Sequence, residues 1–260
     1  MNEINDDKQV RKLKSKVIIA ASQAGEGHIP SAFSILDILY CLYILLPKVS
    51  EIDFRKQDVF VLSKGHASLA LYAILEQAKF INSDWVETFG DFNSEFGGHP
   101  DMRKIIGVSA STGSLGHGLP FAIGKILANR VHKKKSKVFC LIGDGELNEG
   151  SIWESLLLAS HHKLCELTLI VDSNNTSDRA LTLGDIESKF NSFGFLVKTV
   201  DGHSHKSILE GLLEFSEVKP VALIAHTIKG FGISEMENNP AWHHAIPATK
   251  DLDRFMKELE

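Results

Sequence analysis

Residues 137–175 read KVFCLIGDGELNEGSIWESLLLASHHKLCELTLIVDSNN, and this stretch decides the fold. Lys137 to Ile142 is a short apolar run of strand length, Glu149 to His162 has helical character, and Leu167 to Asp172 is apolar again. Strand, helix and strand in that order make a βαβ unit, whose right-handed crossover sets the two strand ends side by side. The alternation continues with a helix over Asp185–Phe193, a strand over Phe195–Val200, a helix over Ser204–Phe215 and a strand over Val221–His226. Upstream, Asp58–Leu62 reads as another buried strand. Helices are predicted over residues 7–24, over Ala32–Leu46 with Pro47 closing it, over Ala67–Phe80, and from Gly116 to about Val131. Short apolar strands between amphipathic helices predict an α/β fold, a parallel sheet with helices on both faces, in a single domain over residues 1–260.

Composition narrows the function classes. With 43% hydrophobic and 23% charged residues, the chain has the make-up of an ordinary soluble domain. A net charge of −5 argues against nucleic acid, which calls for a clustered basic surface. The run His132-Lys133-Lys134-Lys135 falls between a helix and a strand and reads as a solvated turn. Cys41, Cys140 and Cys165 are widely spaced in apolar stretches, so buried free thiols in a reducing cytoplasm are expected. No apolar run has the length of a membrane span, and Met1 to Lys16 lacks a signal-peptide core.

In an open α/β sheet, ligands bind beyond the carboxyl ends of the strands. Two such ends carry unusual polar chemistry: Gly143-Asp144-Gly145, and Val171-Asp172-Ser173-Asn174-Asn175. Either motif alone is an ordinary turn former. Together, thirty positions apart on neighbouring strands, they suit a diphosphate bridged by magnesium, a cation that takes about six oxygen ligands. Asp144 offers a carboxylate oxygen, Asn174 an amide oxygen and Thr176 its backbone carbonyl. Gly143 and Gly145 allow close backbone approach, and a helix starting near Glu149 would turn its N-terminal dipole toward the phosphates.

With these motifs the chain resembles thiamine diphosphate enzymes, and more closely the N-terminal, diphosphate-binding subunit of split transketolases. The resemblance runs over nearly the whole chain. It is carried by Gly25-Glu26-Gly27-His28, Leu62-Ser63-Lys64-Gly65-His66-Ala67, Gly97-Gly98-His99-Pro100 and Ser111-Thr112-Gly113-Ser114-Leu115-Gly116. It continues through residues 143–150 and Met236-Glu237-Asn238-Asn239-Pro240-Ala241-Trp242-His243. Transketolases move a two-carbon ketol unit from a ketose to an aldose. The resemblance implies that His28 and His243 face the donor's C3 hydroxyl and share its proton, that His99 bonds the C1 hydroxyl, and that His66 reaches the diphosphate side and the substrate channel. Gly113 would accept from the aminopyrimidine, with Ser114 beside it, and Leu115 would pack beneath the thiazolium. Glu149 would join a carboxylate contact across the interface with a partner. The remaining histidines, among them His203 and His205, are assigned no role.

The pattern also departs from the family. His117 stands where glutamine is common, His244 where glycine is common, and Asp178-Arg179-Ala180 replaces the usual stretch after Asn174. Nothing in residues 247–260 can hold the pyrimidine-binding domain of a complete transketolase. A separate C-terminal subunit is therefore expected, in a heterotetramer of two plus two acting on sugar phosphates. The competing readings are a 2-oxo acid dehydrogenase component, a deoxyxylulose phosphate synthase-like enzyme, a metal-dependent hydrolase using Asp144 with His28, His66 and His99, and a non-catalytic relative.

Overall fold

Five parallel strands, β1 (Val59–Leu62), β2 (Val138–Gly143), β3 (Leu167–Ser173), β4 (Leu196–Asp201) and β5 (Val221–His226), pair in the order β1-β2-β3-β5-β4. The computed structural model describes residues 3–177 and 181–260. Around the sheet run α1 (Glu3–Ala24), α2 (Ile29–Phe33), α3 (Leu36–Tyr40), α4 (Leu46–Val49), α5 (Ser68–Gln77) and α6 (Trp85–Thr88). They are followed by α7 (Gly118–Val131), α8 (Gly150–His161), α9 (Ile186–Ser192), α10 (His205–Leu212) and α11 (Thr249–Glu258). The α/β architecture expected from the sequence is the one present.

Successive residues of a strand point to opposite faces, and that alternation divides the core in two. Phe139, Leu141, Ile170, Leu223 and Ala225 pack with α1, α5, α10 and α11 through Leu13, Val17, Tyr72, Leu209 and Phe255. Val138, Cys140, Ile142, Leu169, Val171 and Ile224 pack on the other face with Ile123, Ile126, Leu156 and Phe190 of α7, α8 and α9. Burial on both faces explains why β1, β2, β3 and β5 read as largely apolar runs, while the edge strand β4 is more exposed. β2 and β3 are paired so that Gly143 lies opposite Asp172, which brings the two polar strand ends together.

The structure corrects some boundaries. The segment read as one helix over Ala32–Leu46 is broken into α2, α3, a π-helical turn at Cys41–Leu45, and α4. Nearly every side chain there is buried, so no polar face marks the interruptions. Pro47 sits at the start of α4, directly after the π-helical turn, instead of ending a helix. Asp144–Asn148 forms a 3-10 turn ahead of α8, which begins at Gly150. α11 was not anticipated; its Phe255 and the adjoining Leu259 are buried on an otherwise charged segment. All three cysteines are free, but Cys165 is only half-buried. No helix among the described residues is long and apolar enough to cross a membrane. Asp178, Arg179 and Ala180 lie outside the described residues.

Candidate active site

The turns that leave β1, β2, β3 and β5 at their carboxyl ends meet around a cavity of about 510 Å³. Of the residues singled out in the sequence, His28, His66, His99, Gly113, Leu115, Asp144, Gly145, Asn174, Thr176 and His243 all line it. Ser114 and Glu149 do not. Ser114 is exposed, with its Oγ 3.3 Å from His117 Nδ1, and Glu149 is exposed at the residue preceding α8. The lining on this side runs to Glu146, and the 3-10 turn over Asp144–Asn148 stands between it and the start of α8.

Asp144 and Asn174 converge as a cation site requires. The Thr176 N–H lies 3.2 Å from both Asp144 Oδ2 and Asn174 Oδ1, so one donor spans the two oxygens. Asn174 Nδ2 donates to Asp172 Oδ2 at 3.0 Å, which fixes the amide with its oxygen toward Thr176. Asp144 is 4% exposed and makes no ion pair among the described residues. Burial pushes its carboxyl upward, aided by Asp172 and opposed by Lys64. A buried carboxylate with no ion pair among the described residues, next to an oriented amide oxygen, fits a hard divalent cation such as magnesium.

Two buried groups build the frame behind these donors. Lys64 Nζ and Asp172 Oδ2 are 2.5 Å apart, both essentially inaccessible. Asp172 also accepts from Ser34 Oγ at 2.8 Å and from the Thr227 hydroxyl, and burial of the carboxylate is outweighed by Lys64, which holds its pKa down. Glu146 ties three segments together. Its Oε1 accepts from Ser63 Oγ at 2.5 Å and Gly116 N at 2.9 Å, and its Oε2 accepts from Gly143 N at 2.9 Å.

The histidines form one cluster. The His28 ring centroid lies 5.1 Å from His66, 5.6 Å from His243 and 4.5 Å from His244. His99 packs under Gly113, where a Cβ would come within 3.0 Å of its ring. Burial first, and then the charges of His244, His243, His99 and Lys229, lower His28 to about 4. Burial and Lys229 lower His243 to about 4, and burial with Lys64 pushes His66 well down. These imidazoles are neutral at neutral pH. Lys229 Nζ stands 2.9 Å from His243 Nδ1. An ammonium donates there, so the ring proton of His243 sits on Nε2.

Nitrogens of His28, His243 and His244 lie within 4.8 Å of one another, but the Lys229 ammonium beside them disfavours a cation. That grouping also omits Asp144, His66 and His99, so among the described residues the donor set expected of a hydrolase does not come together as one metal cluster. Lys64, Glu146, Asp172 and Lys229 carry no role in the sequence reading, yet all four shape the site. A charged residue inside an apolar strand, as in Val171-Asp172-Ser173, is the sequence signal for a buried ion pair.

Comparison with known proteins places the chain in a family. The family described as transketolase, thiamine diphosphate binding domain, matches residues 5–259. An apulose-4-phosphate transketolase subunit of Actinobacillus succinogenes is 35% identical over 98% of this chain and 95% of its own length. A 6-deoxy-6-sulfo-D-fructose transketolase subunit of a Clostridium species is 32% identical over 96% of this chain and 94% of its own. The crystal structure of transketolase from Campylobacter jejuni superposes with a TM-score of 0.89 at 28% identity, covering 99% of this chain. This chain spans only 43% of that one. The chain belongs to the transketolase family, as a counterpart of the separate subunits that carry its thiamine diphosphate-binding domain.

Proposed function

We propose that this chain binds thiamine diphosphate through a magnesium ion held by Asp144, Asn174 and the Thr176 carbonyl, and transfers a two-carbon ketol unit from a ketose to an aldose together with a separate C-terminal subunit. The observation that carries the reading is the convergence of the Asp144 and Asn174 oxygens beside the histidine cluster in one cavity. When bound, the cofactor supplies the nucleophilic carbon and the electron sink for ketol cleavage. The chain's own residues do the rest. Gly113 would offer its carbonyl to the aminopyrimidine, with Ser114 in the same turn; Leu115 would pack against the thiazolium; and Gly145 and His66 would face the diphosphate.

The donor hydroxyls fall to the histidines of the cavity. His28, held unprotonated at neutral pH, accepts the proton of the C3 hydroxyl, and the Nε2–H of His243 donates a hydrogen bond to the same oxygen. His99 holds the C1 hydroxyl. This divides between His28 and His243 a proton transfer that the sequence assigned to both. Glu149, exposed and outside the cavity, is available for a carboxylate contact with the partner.

The subunit names of the relatives matched over nearly their whole length support a partner, which would carry the pyrimidine-binding half; two copies of each make the proposed heterotetramer. The relatives' names also favour a modified ketose as donor, a branched ketose phosphate or a sulfonated one. Two buried free thiols, Cys41 and Cys140, suit the reducing cytoplasm.

The test is an assay of ketol transfer with the chain and the product of the adjacent gene, alone and mixed, using branched, sulfonated and unbranched ketose donors. Activity is expected only in the mixture, and Asp144→Ala should lower it by about 100-fold or more. Full activity in the isolated chain would refute the divided site.

A further inference from the structure

Asp37, on α3, lies outside the active-site cavity, yet it carries a second buried polar cluster. It is 5% exposed and accepts from His203 Nδ1 at 3.0 Å and from His205 Nε2 at 3.0 Å, with Lys14 Nζ at 3.7 Å. Burial of the carboxyl is outweighed by Lys14 and the two imidazoles, which hold it in its charged form. Replacing a buried ionic cluster of this kind with apolar side chains is often neutral or stabilising. Stability alone is a weak reason for it.

The partners on the other side of the cluster suggest a different reason. His203 Nε2 accepts the backbone N–H of Ile228 at 2.8 Å. An accepting ring nitrogen carries no proton, so the proton is on Nδ1, facing Asp37, and the tautomer is fixed from both sides. The His203 ring lies flat on Phe231, with centroids 3.7 Å apart. Lys14 Nζ donates to the Phe231 carbonyl at 2.9 Å. The two bonds grip the first N–H and the last C=O of one tight turn, closed by Phe231 N to Ile228 O at 3.1 Å. Between them stand Gly230, at φ +85°, and Lys229. Lys229 lines the active-site cavity and reaches His243 Nδ1.

We propose that His203 and Lys14, seated together on Asp37, are positioning residues that clamp the turn over residues 228–231 and thereby aim Lys229 at the active site. A lysine ammonium is a point charge on a flexible stem, so its location depends on where the backbone holds its root. The clamp acts on that root from outside the cavity.

This inference rests on the cofactor reading above, and the experiment separates the two. Thiamine diphosphate with magnesium is titrated into the full chain with its partner subunit, for wild type, His203→Phe, His203→Gln and Lys14→Met. The phenylalanine keeps the stack on Phe231 and removes both hydrogen bonds. The glutamine can still accept from Ile228 and donate to Asp37. Each is repeated in a Lys229→Ala background, and hydrogen exchange of the Ile228 amide is followed in all. The clamp predicts about 10-fold weaker cofactor binding in His203→Phe and Lys14→Met, near-recovery in His203→Gln, and an effect below about 2-fold once Lys229 is alanine. Faster exchange at Ile228 should accompany the loss. Equal weakening in both backgrounds, or a lower melting temperature with unchanged affinity and exchange, overturns it. If wild type binds no cofactor, the functional reading falls; Ile228 exchange unmoved by His203→Phe and Lys14→Met then overturns the clamp as well.

Discussion

Lys64 and Asp172 show how much of this site is decided at single residues. Their contact is fully buried, so removing one partner leaves an unpaired charge in the core. Lys64→Met should destabilise the chain by about 3–5 kcal/mol, measured by denaturant unfolding; a loss below about 1 kcal/mol would contradict the assigned burial. The histidines give a second prediction. Folding lowers His28 and His243 from 6.5 to about 4, so their neutral forms carry the associated stability. That contribution is whole above pH 6.5 and drains away as pH falls toward 4. NMR titration should find both rings still neutral at about pH 5.5; midpoints near the unperturbed ~6.5 would contradict the desolvated cluster. At this scale Asp144, Asn174 and the glycine-flanked histidines were legible because each stands in a recognisable motif. Lys229 and His203 were not. Their importance comes from contacts 14 and 166 positions away, between His243 and Lys229 and between Asp37 and His203, which no local pattern encodes.

At the scale of elements, four of the five strands were legible almost to the residue because burial on both faces keeps most of their positions apolar. The α2–α4 segment was less so, since a stretch buried on all sides has no polar stripe to mark where it breaks. α11 failed for the opposite reason: its sparse apolar positions are spread over a charged surface. One tight junction lies where α7 starts against the end of β1. A Cβ on Gly118 would stand 2.6 Å from the Ser63 Cα, and the Gly118 N–H already bonds Ser63 Oγ at 3.1 Å. Gly118→Ala should therefore cost about 1–3 kcal/mol or more and loosen the Ser63–Glu146 contact. An alanine variant of unchanged melting temperature would show that the α7 start can shift freely.

For the whole molecule, the proposed function gives the chain half of a catalytic site. It holds the diphosphate donors and the groups for the reacting end of the sugar, while the pyrimidine-binding half belongs to a partner. Light scattering of the mixed subunits should give the mass of two plus two, and a stable one-to-one complex would contradict that stoichiometry. The most direct measurement is calorimetric titration of thiamine diphosphate into the chain with its partner, in magnesium and then in EDTA. Saturable binding is expected with magnesium, with loss of it in EDTA and in Asp144→Ala even when magnesium is present. Binding that is indifferent to magnesium and to Asp144, or no binding at all, would contradict a magnesium-held diphosphate site.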